Sequence, residues 1–271
     1  MKSKRFFNFL VCAILICSTS VFTACSNKEE NTDQPDLHLS EKLIGKWMVV
    51  ELDDEPCPTN LKTVITFESP TKAHGSLSDI YSNTWNVQVN ASVKINKNNV
   101  RLVSQIDEYV TNLLDATVIS ITDNDMVLST DWSLLVNGEE VHREVYSMEH
   151  WERVKNNYHD AILGTWEGKV TSGEDDHTDG EWHRWEYRAD GTYVYYSKEN
   201  DEWEGGSDFL SEYFVDGTLL CTRWQETATS EEKREWWEIE SISGGVMKWK
   251  ALRVREDGSN YIATFEMKRI P

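Results

Sequence analysis

The run Asp175-Asp176-His177-Thr178-Asp179-Gly180, with Glu186 at the twelfth place, has the spacing of a calcium-binding loop. Calcium takes oxygen ligands, whereas His177 puts an imidazole at the third ligand position. Asp179-Gly180 also suits a hairpin turn, and the flanking residues alternate like strands rather than helices. His177 and His183, six residues apart on loop and strand, do not have the spacing of a transition-metal pair. The chain is therefore read as having no metal or cofactor, with Asp175, Asp179 and Glu186 as its calcium candidates. The sequence shows no nucleophile elbow, no Cys–His or Ser–His–Asp pattern and no phosphate-cradling glycine loop. Carboxylate pairs such as Glu238/Glu240 follow from the general acidity and do not single out glycoside hydrolysis. The expectation is a non-enzyme.

Aromatic chemistry remains. Eight of the twelve Trp fall after residue 160, and Trp182, Trp203, Trp224 and Trp236 sit where strand alternation permits exposure. Trp faces rimmed by acids suit sugar stacking or a cationic group. Trp182, Trp185, Tyr187, Trp224 and Trp236 are the ligand-binding candidates. Core packing with scattered surface aromatics is the competing reading of the same residues.

The elements that must position these groups follow from composition and repetition. The 271 residues carry 27 Lys plus Arg against 47 Asp plus Glu, a formal charge of −20. Nucleic acid is excluded as a partner, because phosphate binding needs a basic face. With 39% hydrophobic and 11% aromatic residues but only five Pro, the chain can build a core rich in strands.

Residues 1–24 read as an address. Lys2, Lys4 and Arg5 precede the apolar run Phe6–Ile16, which is too short to span a membrane. Phe22-Thr23-Ala24-Cys25 resembles a bacterial lipobox, with Phe22 where Leu is usual, and marks Cys25 for acylation. Multiple acyl chains anchor stably. Cleavage there would leave 24 basic against 47 acidic residues, formally −23. Residues 25–39 then form a polar, acidic tether, similar to the surface-export signal of Bacteroidota lipoproteins. The resemblance implies the outer membrane, periplasmic or cell-surface face, with membrane contact through the anchor alone. Beyond Cys25 the mature chain keeps Cys57 and Cys221, in different halves. Two separately buried thiols are preferred to an interdomain disulfide.

The chain repeats itself. Leu43-Ile44-Gly45-Lys46-Trp47 recurs as Ile162-Leu163-Gly164-Thr165-Trp166, and Tyr146-Ser147-Met148 matches Phe265-Glu266-Met267, both 119 residues on. Val118–Thr122 followed by Met126 matches Ile239–Ser243 followed by Met247, 121 residues on. Two similar units are expected at 40–155 and 160–271, joined by the polar stretch Glu152–Ala161. Each reads as short strands with hairpin turns at Asp190-Gly191, Asp216-Gly217, Gly244-Gly245 and Asp257-Gly258, seven or eight strands in the second unit. Leu102–Leu114 is the best helix candidate. Alternation places His183, Trp185 and Tyr187 on one inward face, with Trp237, Ile239, Met247, Trp249 and Ala251 inward as well.

A Gly-x-Trp opening the first strand of an antiparallel barrel is the lipocalin signature, present here as Gly45-Lys46-Trp47 and Gly164-Thr165-Trp166. The mature chain resembles two tandem lipocalin-like domains of a Bacteroidota-type envelope lipoprotein. The resemblance implies an all-β fold of two antiparallel barrels, with Gly45, Trp47, Gly164 and Trp166 as structural rather than ligand-binding residues. It also implies a small apolar or amphipathic ligand at a barrel mouth. Each unit is shorter than a full lipocalin barrel, so filled barrels that present aromatic faces to a glycan or a protein are the alternative.

Overall fold

The computed structural model describes residues 37–77, 85–173, 181–199, 201–206 and 208–271. The signal, Cys25 and the tether through Asp36 lie outside them. Helix α1 (Leu37–Leu43) leads into β1 (Gly45–Leu52), β2 (Glu55–Pro56) and a 3-10 turn at Thr59–Leu61. Then follow β3 (Val64–Ser69), β4 (Lys72–Leu77), β5 (Val87–Asn96), β6 (Asn99–Gln105), β7 (Val110–Ile121), β8 (Asp125–Val136) and β9 (Glu139–Arg153). β1 pairs antiparallel with β3, each strand from β3 on pairs antiparallel with the next, and β9 returns to β1, so eight strands close a barrel with β2 hung on β1. Closure pairs the end of β9 with β1, while Glu139–Tyr146 of β9 runs past β1 and pairs with β8 alone.

The second half holds β10 (Gly164–Ser172), β11 (Trp182–Tyr187), β12 (Tyr193–Glu199), β13 (Glu202–Gly206), β14 (Leu210–Asp216), β15 (Leu219–Gln225), β16 (Lys233–Ser243), β17 (Val246–Val254) and β18 (Asn260–Ile270). Their order is β13-β12-β11-β10-β18-β17-β16-β15-β14, a curled antiparallel sheet with β13 and β14 at its edges. A single bridge, Thr192 to Glu212, ties β14 back to the start of β12. The fold is thus all-β, one closed barrel and one curled sheet in tandem.

The same end-piece organises both halves. Gly45 and Gly164 have φ of +126° and +110°, in the left-handed range where a side chain is strained. Each turn drops the next Trp into the core, where Trp47 and Trp166 are fully buried. The Trp47 Nε1–H donates to the Leu43 carbonyl at 2.8 Å, and the Trp166 Nε1–H to the Ile162 carbonyl at 2.6 Å. Around Trp47 pack Leu39 and Leu43 of α1 with Phe67, Leu102, Leu114, Met126 and Trp151. Around Trp166 pack Tyr187, Trp237, Trp249, Phe265, Met247 and Met267. A fully buried Trp removes about 200 Å² from water, worth roughly 5 kcal/mol before entropy is counted.

Three sequence expectations are corrected by the structure. Leu102–Leu114 is not helical: Leu102 and Leu114 face each other across the β6–β7 ladder. The chain reverses between them because the Asp107 carboxylate accepts the Tyr109 and Val110 amides at 2.7 and 2.8 Å. The terminal repeat is also out of register. Trp47 pairs with Arg153 and Trp166 with Arg269, an offset of 116 rather than 119. The β8–β9 hairpin is longer than β17–β18, which displaces Tyr146-Ser147-Met148 from Phe265-Glu266-Met267. Finally, the second half has nine strands among the described residues, because Glu202–Gly206 forms one that the turn signals did not mark.

The two halves interlock. Met48 and Val64 pack on Leu219, with Val50, Val154 and Trp236 at the rim. Lys62 Nζ bonds Glu238 at 2.6 Å, Lys46 pairs with Asp216, and the Thr59 hydroxyl accepts the Leu252 amide at 2.8 Å. Trp85 meets Phe214 edge-on at 5.1 Å and lies under the guanidinium of Arg223.

Candidate ligand-binding site

Strands β4 and β5 carry small residues, Ala73, Gly75 and Ala91, on the stretch of barrel wall next to Leu102 and Leu114 of β6 and β7. Short side chains beside long ones leave a hollow in the closed barrel, completed by Ile65, Ile106 and Trp132, with Thr63, Ser104 and Asn112 supplying the polar groups. Its volume is about 90 Å³. An apolar cavity of about 150 Å³ is enough for benzene, so the hollow admits a small alkyl group and not a whole drug-sized molecule.

Behind the Trp132 wall lies Glu149, which is 1% exposed. On β9 it shares the inward parity of Trp151. Its Oε1 accepts the Trp132 Nε1–H at 2.9 Å and the Thr130 hydroxyl, and its Oε2 accepts the Trp151 Nε1–H at 2.6 Å. A carboxylate inside a barrel is tolerable only when its lone pairs meet donors; three donors converge on this one. The strand bulges just before it, between the Leu128 and Thr130 pairings. Asp53 braces the bulge, accepting the Ser147 hydroxyl at 2.7 Å and the Met148 amide at 3.0 Å. Those bonds hold the Asp53 carboxyl below the usual carboxylate range. Cys57, 1% exposed, joins the same core, and burial pushes its thiol up to about 11.

The curled sheet is filled differently. Trp185 meets Trp249 and Phe265 edge-on at 5.2 and 5.5 Å, and Trp237 stacks on Trp249 at 5.3 Å. His183 stacks on Trp185, and its Nδ1 lies 2.8 Å from the Tyr195 hydroxyl. Burial raises the Tyr195 and Tyr213 hydroxyls to about 12.

The sequence candidates therefore scatter. Trp185 and Tyr187 belong to the interior of the curled sheet, and Trp224 packs against it. Trp236 lies between the two halves against Met48, Val64 and Leu219. Trp182 alone of the five is well exposed, at 43%, with Lys169 Nζ 6.0 Å from its ring. Asp175 and Asp179 lie outside the described residues. Glu186 is on β11 and accepts the Arg188 Nε–H at 2.9 Å. Among the described residues no three His, Cys, Asp or Glu side chains cluster as metal ligands. Cys57 and Cys221 are separately buried thiols. The hollow, Trp132 and Glu149 were not singled out from the sequence. The available signal was Glu149 two residues before Trp151, an acid at a position whose alternation points inward.

Neither the known protein families nor the curated proteins contain a match to this chain.

Proposed function

We propose that the chain is a lipid-anchored envelope protein of lipocalin-like build, held at the outer membrane through Cys25, whose closed barrel binds a small apolar or amphipathic molecule without catalysis. The apolar hollow bounded by Ala73, Ala91, Leu114 and Trp132 carries this reading. Its size suits the end of an acyl chain, with the remainder of the ligand outside. Tryptophan fluorescence titrated with octanoate tests it, since Trp132 lines the hollow. The native protein is expected to respond saturably, and a folded Ala91→Leu variant, in which the hollow is filled, is expected not to respond. A flat titration of the native protein overturns the reading. For the anchor, labelled palmitate is expected in the native protein and absent from Cys25→Ala; label that persists in the variant removes the anchor.

A second reading has its own observation. The interior of the curled sheet is occupied by Trp185, Trp237, Trp249 and Phe265, while Trp182 faces solvent beside Lys169. That arrangement suits contact with a glycan or a protein rather than enclosure of a ligand. Quenching by soluble polysaccharide that disappears in Trp182→Ala would support it, and quenching that survives the substitution would discard it.

A further inference from the structure

We infer that Glu149 is a positioning residue that latches Trp132 across the hollow of the closed barrel and so sets how much ligand the barrel admits. The inference rests on the reading of that hollow as a ligand site. Trp132 is partly buried, packed against the core and forms one wall of the hollow. Its one polar atom, Nε1, is tied to Glu149 Oε1 at 2.9 Å. Glu149 itself cannot follow the indole outward. Its second oxygen is held by the fully buried Trp151, Thr130 fixes the first, and the neighbouring bulge is pinned to Asp53. The acceptor is immobile and the donor side chain is the partly exposed member of the pair, so the hydrogen bond acts on the position of Trp132.

The hollow of about 90 Å³ is the latched state. Rotation of Trp132 away from Glu149 would add the space of an indole ring to it. A ligand larger than a short alkyl group then binds only the unlatched fraction of molecules. Its apparent dissociation constant is the intrinsic one divided by that fraction.

Trp132→Phe tests the latch while keeping an aromatic wall, because phenylalanine has no N–H to donate. Glu149→Gln tests it from the other side, since an amide cannot accept from both indoles and present its own N–H groups without conflict. Octanoate binding is measured by calorimetry on the native chain and both variants, with near-ultraviolet circular dichroism to confirm packing. Binding about tenfold tighter is expected in Trp132→Phe, the scale of one hydrogen bond to a charged acceptor. Glu149→Gln should move in the same direction. Equal affinity in native and Trp132→Phe protein, with both folded, overturns the latch and leaves the site standing. Should no form bind octanoate, Trp132→Ala included, the site itself falls and the latch with it.

Discussion

The guanidinium of Arg269 lies 4.3 Å above the ring of Trp166 and donates to the carbonyls of Leu163 and Ala161. Arg153 repeats the arrangement 4.2 Å above Trp47, with the carbonyls of Ile44 and Lys42. In each half, one side chain from the last strand covers the indole and ties down the chain entering the first strand. A single planar cation thus links the buried Trp, the turn at the glycine and the returning final strand.

Arg269→Lys keeps the charge and loses the fork. A loss of about 1–2 kcal/mol is expected from the ring contact and the carbonyl bonds together. Chemical denaturation followed by tryptophan emission checks it. An unchanged midpoint would show that the cap contributes nothing.

Alkaline conditions should weaken the fold. The Cys57 thiol is raised to about 11, and Tyr195 and Tyr213 to about 12, each chiefly by burial. A group whose folded value is raised contributes stability that is complete below its unfolded value and disappears as pH climbs through the folded one. Stability is therefore expected to fall from about pH 9 for the thiol and from about pH 10 for the phenols. Cys57→Ala should remove the earlier part of the decline in a pH series of thermal melts, and an identical curve would refute the assignment.

At the acid side Asp53 has the opposite sign. Its folded value is depressed by the Ser147 hydroxyl and the Met148 amide. Its contribution is present above about pH 4, the unfolded value, and is lost as pH drops below that. Because the group is exposed, only a few tenths of a kcal/mol are expected. Asp53→Asn should flatten the melting temperature between pH 4 and 3 by about a degree.

The interlocked halves should melt together. Thr59→Val removes the hydroxyl that accepts the Leu252 amide across the junction, at a cost of about 1–2 kcal/mol. Calorimetry of residues 33–271 is expected to give one transition for the native chain, and a broadened or split one when Thr59→Val is combined with Lys62→Ala. Two resolved peaks in the native protein would contradict the coupling.

Much of this fold could be read from the chain. The repeated Gly-x-Trp and the alternation of Trp237, Ile239, Met247 and Trp249 both depend on short-range periodicity, which a β-strand enforces residue by residue. Arg153 and Arg269 were hidden because their offset differs from that of the tryptophans they cover; unequal hairpins between them shift the register. Leu102 and Leu114 misled because apolar residues on neighbouring strands leave a spacing along the chain that a helix can also produce. Trp236 read as an outward aromatic, and it is outward with respect to its own sheet, but the closed barrel covers it. Glu149 was half legible: alternation assigns it to the interior, and only the three donors gathered from β8 and β9 explain how an acid can stay there.

In the ring of β1 and β3–β9, the stretch Glu139–Tyr146 of β9 runs past β1 and pairs with β8 alone, and β13 and β14 are terminal strands of their sheet among the described residues. Copies of this protein that exchange or add strands would therefore do so through Glu139–Tyr146, Glu202–Gly206 or Leu210–Asp216.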